Sequence, residues 1–144
     1  MDKRVLLIED NKSDIDLALR AFKKAGVSNP IDVVEDGQEA LDYLFCENKY
    51  VDRDPSDRPA VVLLDLKLPI IDGLEVLKLI RSTPQTKDLI VIILSSSCEE
   101  RDIINGYNLG VNSYLIKPVN FENFINTIKQ IDNYWLKLNI TKSL

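Results

Sequence analysis

Three runs of apolar residues punctuate the chain: Val5–Ile8, Val61–Leu64 and residues 89–94. They are continuous rather than alternating. A strand reads this way when both its faces are covered, as in a parallel sheet between layers of helices. Two weaker runs, Ile31–Val34 and Ser113–Ile116, bring the set to five. Between the runs the apolar period becomes helical. Ile15, Ala18, Leu19, Phe22 and Ala25 share one face, with Gly26 at the stop position. Ala40, Leu41, Leu44 and Phe45 mark a second helix after Gly37. Leu74, Leu77 and Ile80 mark a third, broken by Pro84, and Ile103, Ile104 and Tyr107 a fourth, ended by Gly110. The longest pattern joins Phe121, Phe124, Ile125, Ile128, Ile131, Trp135 and Leu138 into one extended C-terminal helix. Asn120 is its expected N-cap, and Asn123 stands where a capping box has Glu or Gln.

Strand then helix, five times over, predicts an α/β architecture: a doubly wound five-stranded parallel sheet with five helices. Ligands of such sheets bind beyond the carboxyl ends of the strands, near the switch in strand order. Chemistry is therefore expected just after each apolar run.

At 144 residues the chain is expected to form a single domain, 1–144, large enough to bury a core without disulfides or metals. Residues 49–59 (KYVDRDPSDRP) break the rhythm and read as an enlarged surface loop, a place for partner contacts. Eighteen basic against twenty-three acidic residues leave a net charge of −5, which argues against nucleic-acid binding. Histidine is absent, which removes Ser-His-Asp and Cys-His nucleophiles, histidine metal sites and histidine phosphocarriers. Cys46 and Cys98 form no CxxC, consistent with a reduced, cytoplasmic compartment. The four apolar residues near the N-terminus are too few for a signal peptide or membrane span. Asn139-Ile140-Thr141 matches a glycosylation acceptor, a match without meaning in a chain that is not secreted.

The strand ends carry Glu9 and Asp10, Asp65, Ser95 to Ser97, and Lys117-Pro118. If the strands are parallel, three carboxylates, a hydroxyl and an ammonium share one rim. Two carboxylates about 5 Å apart repel by roughly 3 kcal/mol at an effective dielectric near 20. One lysine does not cancel three such pairs. Either a carboxylate stays protonated or a divalent cation sits among them. With oxygen ligands alone, that cation is expected to be Mg2+, with Mn2+ as a substitute. Taken singly, each residue also reads as a solvated loop, cap or surface residue. The joint pattern carries the weight. No DxDxDG, GxxxxGK[ST] or GxGxxG motif offers an EF-hand or nucleotide-binding alternative.

These residues together resemble a response regulator receiver domain, the phospho-acceptor module of two-component signalling. The resemblance runs from about Lys3 to Leu138. It is carried by LLIEDN (6–11), LLDLKLPIIDG (63–73), IILSSS (92–97) and SYLIKP (113–118). It implies a flavodoxin-like receiver fold, with Asp65 as the phospho-acceptor. Asp10 matches a direct magnesium ligand, Glu9 an acidic neighbour acting through water, and the backbone carbonyl of Lys67 a third protein ligand. Ser95 matches the switch hydroxyl, Lys117 the lysine that contacts the phosphoryl group, and Tyr114 the aromatic switch residue. Pro69 and Gly73 match structural residues of the loop after the acceptor. Lys67 departs from the Asn or small polar residue common there, and Ser97 occupies a variable position. Both positions bear on how fast the phosphoryl group is lost. The enlarged loop and long last helix are similar to the stand-alone regulators that serve phytochrome-type kinases, notably in cyanobacteria.

The resemblance implies a cytoplasmic switch whose partner is a histidine kinase, possessing no enzyme activity beyond its own phosphoryl transfer and slow dephosphorylation. With few residues left after Leu138, output is expected through protein contact. A homodimer through the fourth helix, fifth strand and fifth helix fits the aromatic stripe ending at Tyr134, Trp135 and Leu138. A degenerate receiver used only as a docking scaffold is the alternative, and the intact acidic pair, Asp65, Ser95 and Lys117 argue against it. A magnesium phosphatase with an aspartyl nucleophile would place a second aspartate two residues on, where Lys67 stands.

Overall fold

A computed structural model describes residues 3–117 and 120–140. Pro118 of the Lys-Pro pair and Thr141 of the acceptor-like triplet lie outside them. The elements alternate as β1 (Val5–Ile8), α1 (Lys12–Lys24), β2 (Ile31–Val34), α2 (Gly37–Phe45), β3 (Val61–Leu64), α3 (Gly73–Ser82), β4 (Val91–Ser95), α4 (Glu100–Asn108), β5 (Ser113–Ile116) and α5 (Phe121–Ile131). The five strands form one parallel sheet in the order β2-β1-β3-β4-β5.

The strength of each apolar run matches its place in the sheet. β1, β3 and β4, from the three strong runs, are buried at every position and lie in the centre. β2 and β5, from the weaker runs, are the half-exposed edges. A parallel strand buried on both faces is apolar almost throughout, with Ser95 at the end of β4 the exception here, whereas an edge strand has room for polar side chains.

Alternation along each strand separates two cores. Leu6, Ile8, Val62, Leu64, Val91 and Ile93 face α2, α3 and α4. Val5, Leu7, Val61, Leu63, Ile92 and Leu94 face α1 and α5, where Phe22 and Ile128 are fully buried. This parity carries on past the strand ends and decides which side of the sheet each terminal polar residue joins.

Two expected boundaries shift. The fourth run, residues 89–94, becomes a strand only from Val91 and reaches Ser95. Arg81 holds the carbonyls of Leu89 and Lys87 at 2.8 and 2.9 Å, so the chain up to Leu89 is tied to α3, and contact with the sheet begins at the Ile90 carbonyl, which accepts from the Val62 amide at 2.8 Å. Asn120 caps α5 as expected, its side chain accepting from the Glu122 and Asn123 amides at 2.9 and 3.3 Å. The extended α-helix does not continue to Leu138, however. α5 ends at Ile131 and the chain widens into π-helical turns over Asp132–Leu138. The Asn139 amide bonds the Tyr134 carbonyl, five residues back, at 2.7 Å. Lys137 pairs with Asp132, also five apart, at 3.0 Å. Wider turns move the inward face on by one residue. Leu136 is buried in place of Trp135, and Leu138 is 65% exposed.

Residues 49–59 are pinned rather than loose. After a 3-10 turn at Asn48–Tyr50, Arg53 bonds the carbonyls of Tyr43 and Asp57 at 3.0 and 2.5 Å. Its guanidinium lies over the Tyr43 ring, 4.1 Å from the centroid. Among the described residues no helix is long and apolar enough to cross a membrane.

Candidate functional site

Strand register builds the site. Ile8 pairs with Leu64, so the next residues, Glu9 and Asp65, emerge side by side from adjacent strands. The ladder runs on at this point: the Asp65 amide donates to the Ile8 carbonyl and the Glu9 amide to Val34, each at 3.0 Å. Ser95 pairs with Ile116, and the Lys117 amide donates to the Ser95 carbonyl at 2.7 Å. β1 and β3 are where the strand order reverses, since β2 lies on one side of β1 and the later strands on the other. The acidic groups thus stand at the topological switch point.

Glu9, Asp65 and Lys117 share the parity of Leu7, Leu63 and Leu115, so they open toward α1 and α5. There they line a cavity of about 420 Å³ together with Asp10, Asp14 and Lys67. Carboxylate oxygens of Glu9, Asp10 and Asp65 lie within 4.8 Å of one another. Glu9 is 2% exposed and Asp65 8%. The Lys117 ammonium donates to Glu9 Oε1 and to Asp14 Oδ2, the latter at 2.9 Å, and stands 3.6 Å from Asp65 Oδ2. Asp14 was not singled out among the strand-end groups because it sits inside the first helical pattern. The Asn11 side chain caps its amide at 3.0 Å, which sets Asp14 in the first turn of α1 facing the rim.

The electrostatics are unbalanced. Burial is the largest influence on Glu9, and Asp65 beside it adds to that. Its bond to Lys117 offsets them only in part, so its carboxyl is pushed up to about 7. Burial alone would lower Lys117, but Glu9, Asp14 and Asp65 outweigh it and hold the ammonium above its ordinary range. Hard, oxygen-only donors, two of the three buried, with too little positive charge fit a divalent cation such as Mg2+ or Mn2+. Lys67 is exposed at the cavity mouth.

Ser95 and Tyr114 join the opposite side of the sheet. Ser95 is fully buried, and its hydroxyl accepts from the Ser97 amide at 3.2 Å. The Tyr114 hydroxyl donates to the Ser97 carbonyl at 2.8 Å, and the Ser97 hydroxyl to Asp102 at 2.5 Å. The sequence places Ser97 among the strand-end hydroxyls and at a variable position; the structure makes it the link between β4, α4 and Tyr114. A slot receives the tyrosine ring: a Cβ on Gly106 would lie 3.5 Å from it and 2.9 Å from Ile93.

The loop after Asp65 is tightly held. The Ile71 amide bonds the Pro69 carbonyl at 2.8 Å, closing a three-residue turn around Ile70, whose φ is +70°. The Gly37 amide reaches the same carbonyl at 3.2 Å. The Gly73 amide donates to Leu66 at 2.8 Å, and a side chain at Gly73 would collide with the Asp65 carbonyl. The backbone around Asp65 is therefore set from both sides by residues that admit little substitution.

Comparison with known proteins agrees with this geometry. A response regulator receiver domain model matches residues 5–129. The chain is 39% identical over 135 residues to the probable methanogenesis regulatory protein FilR2 of Methanothrix harundinacea, covering 94% of this chain and 84% of that one. It is 36% identical to response regulator Rcp1 of Synechocystis, covering 94% and 90%. The Mn(2+)-bound form of Rcp1 superposes with a TM-score of 0.86 at 33% identity, covering 98% and 99%. The phosphorylated cyanobacterial phytochrome response regulator RcpA superposes with a TM-score of 0.89 at 39% identity, covering 99% and 100%.

Proposed function

The chain belongs to the response regulator receiver domain family, whose members accept a phosphoryl group from histidine kinases and bind a divalent metal, and from that premise we propose that Asp65 is the phospho-acceptor of a single receiver unit. The observation that carries this is the carboxylate cluster at the switch point, in which buried Asp65 lies beside buried Glu9, the more open Asp10 and the half-buried Lys117. An Asp65 carboxylate oxygen forms a bond to phosphorus. The phosphorus–nitrogen bond of the donor phosphohistidine breaks, and its electron pair stays on the imidazole. Lys117 and Ser95 contact the phosphoryl oxygens, and Tyr114 repacks as the Ser95 hydroxyl moves. Asp10, Asp65, the Lys67 carbonyl and, through water, Glu9 would hold Mg2+, with Mn2+ as a substitute. A bound cation supplies positive charge to the transferring phosphoryl oxygens.

The added charge, about −1.5 to −2, biases the Ser97–Tyr114–Asp102 contacts. The surface that changes is α4, β5 and α5. Exposed Ile104, Tyr107, Ile116, Tyr134 and Leu138, between 42% and 65% exposed, support its use as a homodimer seam. The kinase is of phytochrome type, a reading supported by the similarity to Rcp1 and RcpA. The protein works in the cytoplasm, off membranes and nucleic acid, and turns over no external substrate.

Intact mass after incubation with phosphoramidate tests the reading. One Mg2+-dependent phosphoryl group is expected on wild type and none on Asp65→Asn; equal labelling of the variant overturns the assignment. Light scattering tests the seam: a monomer at high micromolar concentration, with and without a phosphoryl mimic, removes it.

A further inference from the structure

Lys117 is a shared cation. Its ammonium carries three donors. One goes to Glu9, and another goes to Asp14 at 2.9 Å. Asp65, at 3.6 Å, is at ion-pair distance but outside hydrogen-bond reach. Asp14 is not part of the Glu9–Asp10–Asp65 cluster. It comes from α1, across the cavity, and is placed there by the Asn11 cap. The ammonium is therefore drawn toward α1 and away from the acceptor oxygen.

Taking the phospho-acceptor reading of Asp65 as its basis, we infer that Asp14 is a positioning residue, which competes with the incoming phosphoryl group for Lys117 and so slows phosphorylation. When an Asp65 oxygen bonds to phosphorus, the phosphorus–donor bond breaks. Its electron pair leaves with the donor nitrogen, which ends protonated. Lys117 helps by bringing its charge to the transferring oxygens. The root of its side chain is held one residue beyond Ile116 by the hydrogen bond from the Lys117 amide to the Ser95 carbonyl, so the ammonium approaches Asp65 by loosening its bond to Asp14. Glu9 and Asp14 each accept one of the three ammonium donors, which leaves the third. What Asp14 controls is where that third donor points.

The test is the rate of acyl-phosphate formation from phosphoramidate at saturating Mg2+, for wild type, Asp14→Asn, Asp14→Ser and Asp14→Glu, with melting temperature followed in parallel. The Asp14 carboxylate is 38% exposed. Removing its charge is therefore expected to speed the reaction by about two- to fivefold, the range of a partly screened ion pair. Asp14→Asn and Asp14→Ser should both be faster and Asp14→Glu should stay close to wild type. The advantage should shrink as salt is raised, because the competition is between charges. A packing defect would neither be rescued by Glu nor respond to salt. Neutral variants as slow as wild type or slower, with melting preserved, overturn the inference. So does Asp14→Glu as fast as Asp14→Asn. If either neutral variant is unfolded, the other decides. If wild type itself takes no phosphoryl group, it is the reading of Asp65 that fails.

Discussion

Two charged clusters in this molecule are built from the same residue types and end in opposite states. Along the β2 edge of the sheet, beside α2, Asp32 accepts from Arg4 at 3.1 Å and from the Tyr43 hydroxyl at 2.5 Å. Arg4 also faces Asp57, at 3.6 Å. Glu39 takes Lys49 at 2.6 Å, the Tyr50 hydroxyl at 2.8 Å and the Glu35 amide at 2.8 Å. Three cations, Arg4, Lys49 and Arg53, thus gather with three anions, Asp32, Glu39 and Asp57: Arg4 is shared by the two aspartates, Lys49 pairs with Glu39, Arg53 bonds the Asp57 backbone carbonyl, and the Tyr43 and Tyr50 rings pack edge to face. At the carboxyl rim, Glu9, Asp10, Asp14 and Asp65 stand around Lys117. The balanced cluster keeps Glu39 ionised, its carboxyl lowered because its hydrogen bonds outweigh burial. The unbalanced one pushes Glu9 up to about 7. Matched charge holds a loop in place. Unmatched carboxylates, two of them buried, leave a demand for positive charge that a divalent cation can meet.

The sharpest way to break this contrast is to remove one residue from each cluster. Asp65→Asn should lose labelling by phosphoramidate altogether, while Arg53→Ala should label at the wild-type rate; mass spectrometry reads both. If Arg53→Ala also stops labelling, the two regions are not separable.

Next in size is a pH dependence confined to the rim. The folded state holds the Glu9 proton to about pH 7, well above the ordinary value of 4.5. Its contribution to stability is therefore complete below about pH 4.5 and lost as pH rises through 7, by at most about 3 kcal/mol. Metal-free protein should melt lower at pH 8 than at pH 5.5. Glu9→Gln should flatten that slope, and Mg2+ should raise melting most at pH 8, where the carboxylate is already ionised. A melting temperature that rises steadily from pH 5.5 to 8 without metal contradicts the assignment.

Smaller effects belong to the balanced cluster. Arg53→Ala removes two bonds to carbonyls and the stack on Tyr43, for about 2 kcal/mol in a denaturant titration with unchanged slope. Smallest is Lys49→Ala. The Lys49 side chain is 67% exposed, so its loss should shift the denaturation midpoint less than Arg53→Ala does.

Legibility followed the same division. The central strands could be read because burial on both faces leaves continuous apolar runs. Glu9, Asp65 and Lys117 could be read because they are the first polar residues after those runs. The boundaries at Val91 and Ile131 could not, since Arg81 and the Asp132–Lys137 pair act through contacts that apolar periodicity does not record. Asp14 was hidden for a different reason. On α1 it is one polar residue among several, and only the parity of Lys117 brings an ammonium to it across the sheet.

By itself, the amino-acid sequence determined the order of elements, which strands are central, and which polar groups lie at their ends. Those properties follow from local periodicity and burial, and both are written along the chain. Tertiary structure alone decided how the rim divides: Glu9, Asp65 and Lys117 toward α1 and α5, Ser95 and Tyr114 toward α4, Asp14 drawn in, and residues 49–59 clamped by Arg53. Strand register and side-chain parity set these meetings between residues as many as 108 positions apart, and neither is specified until the strands pair.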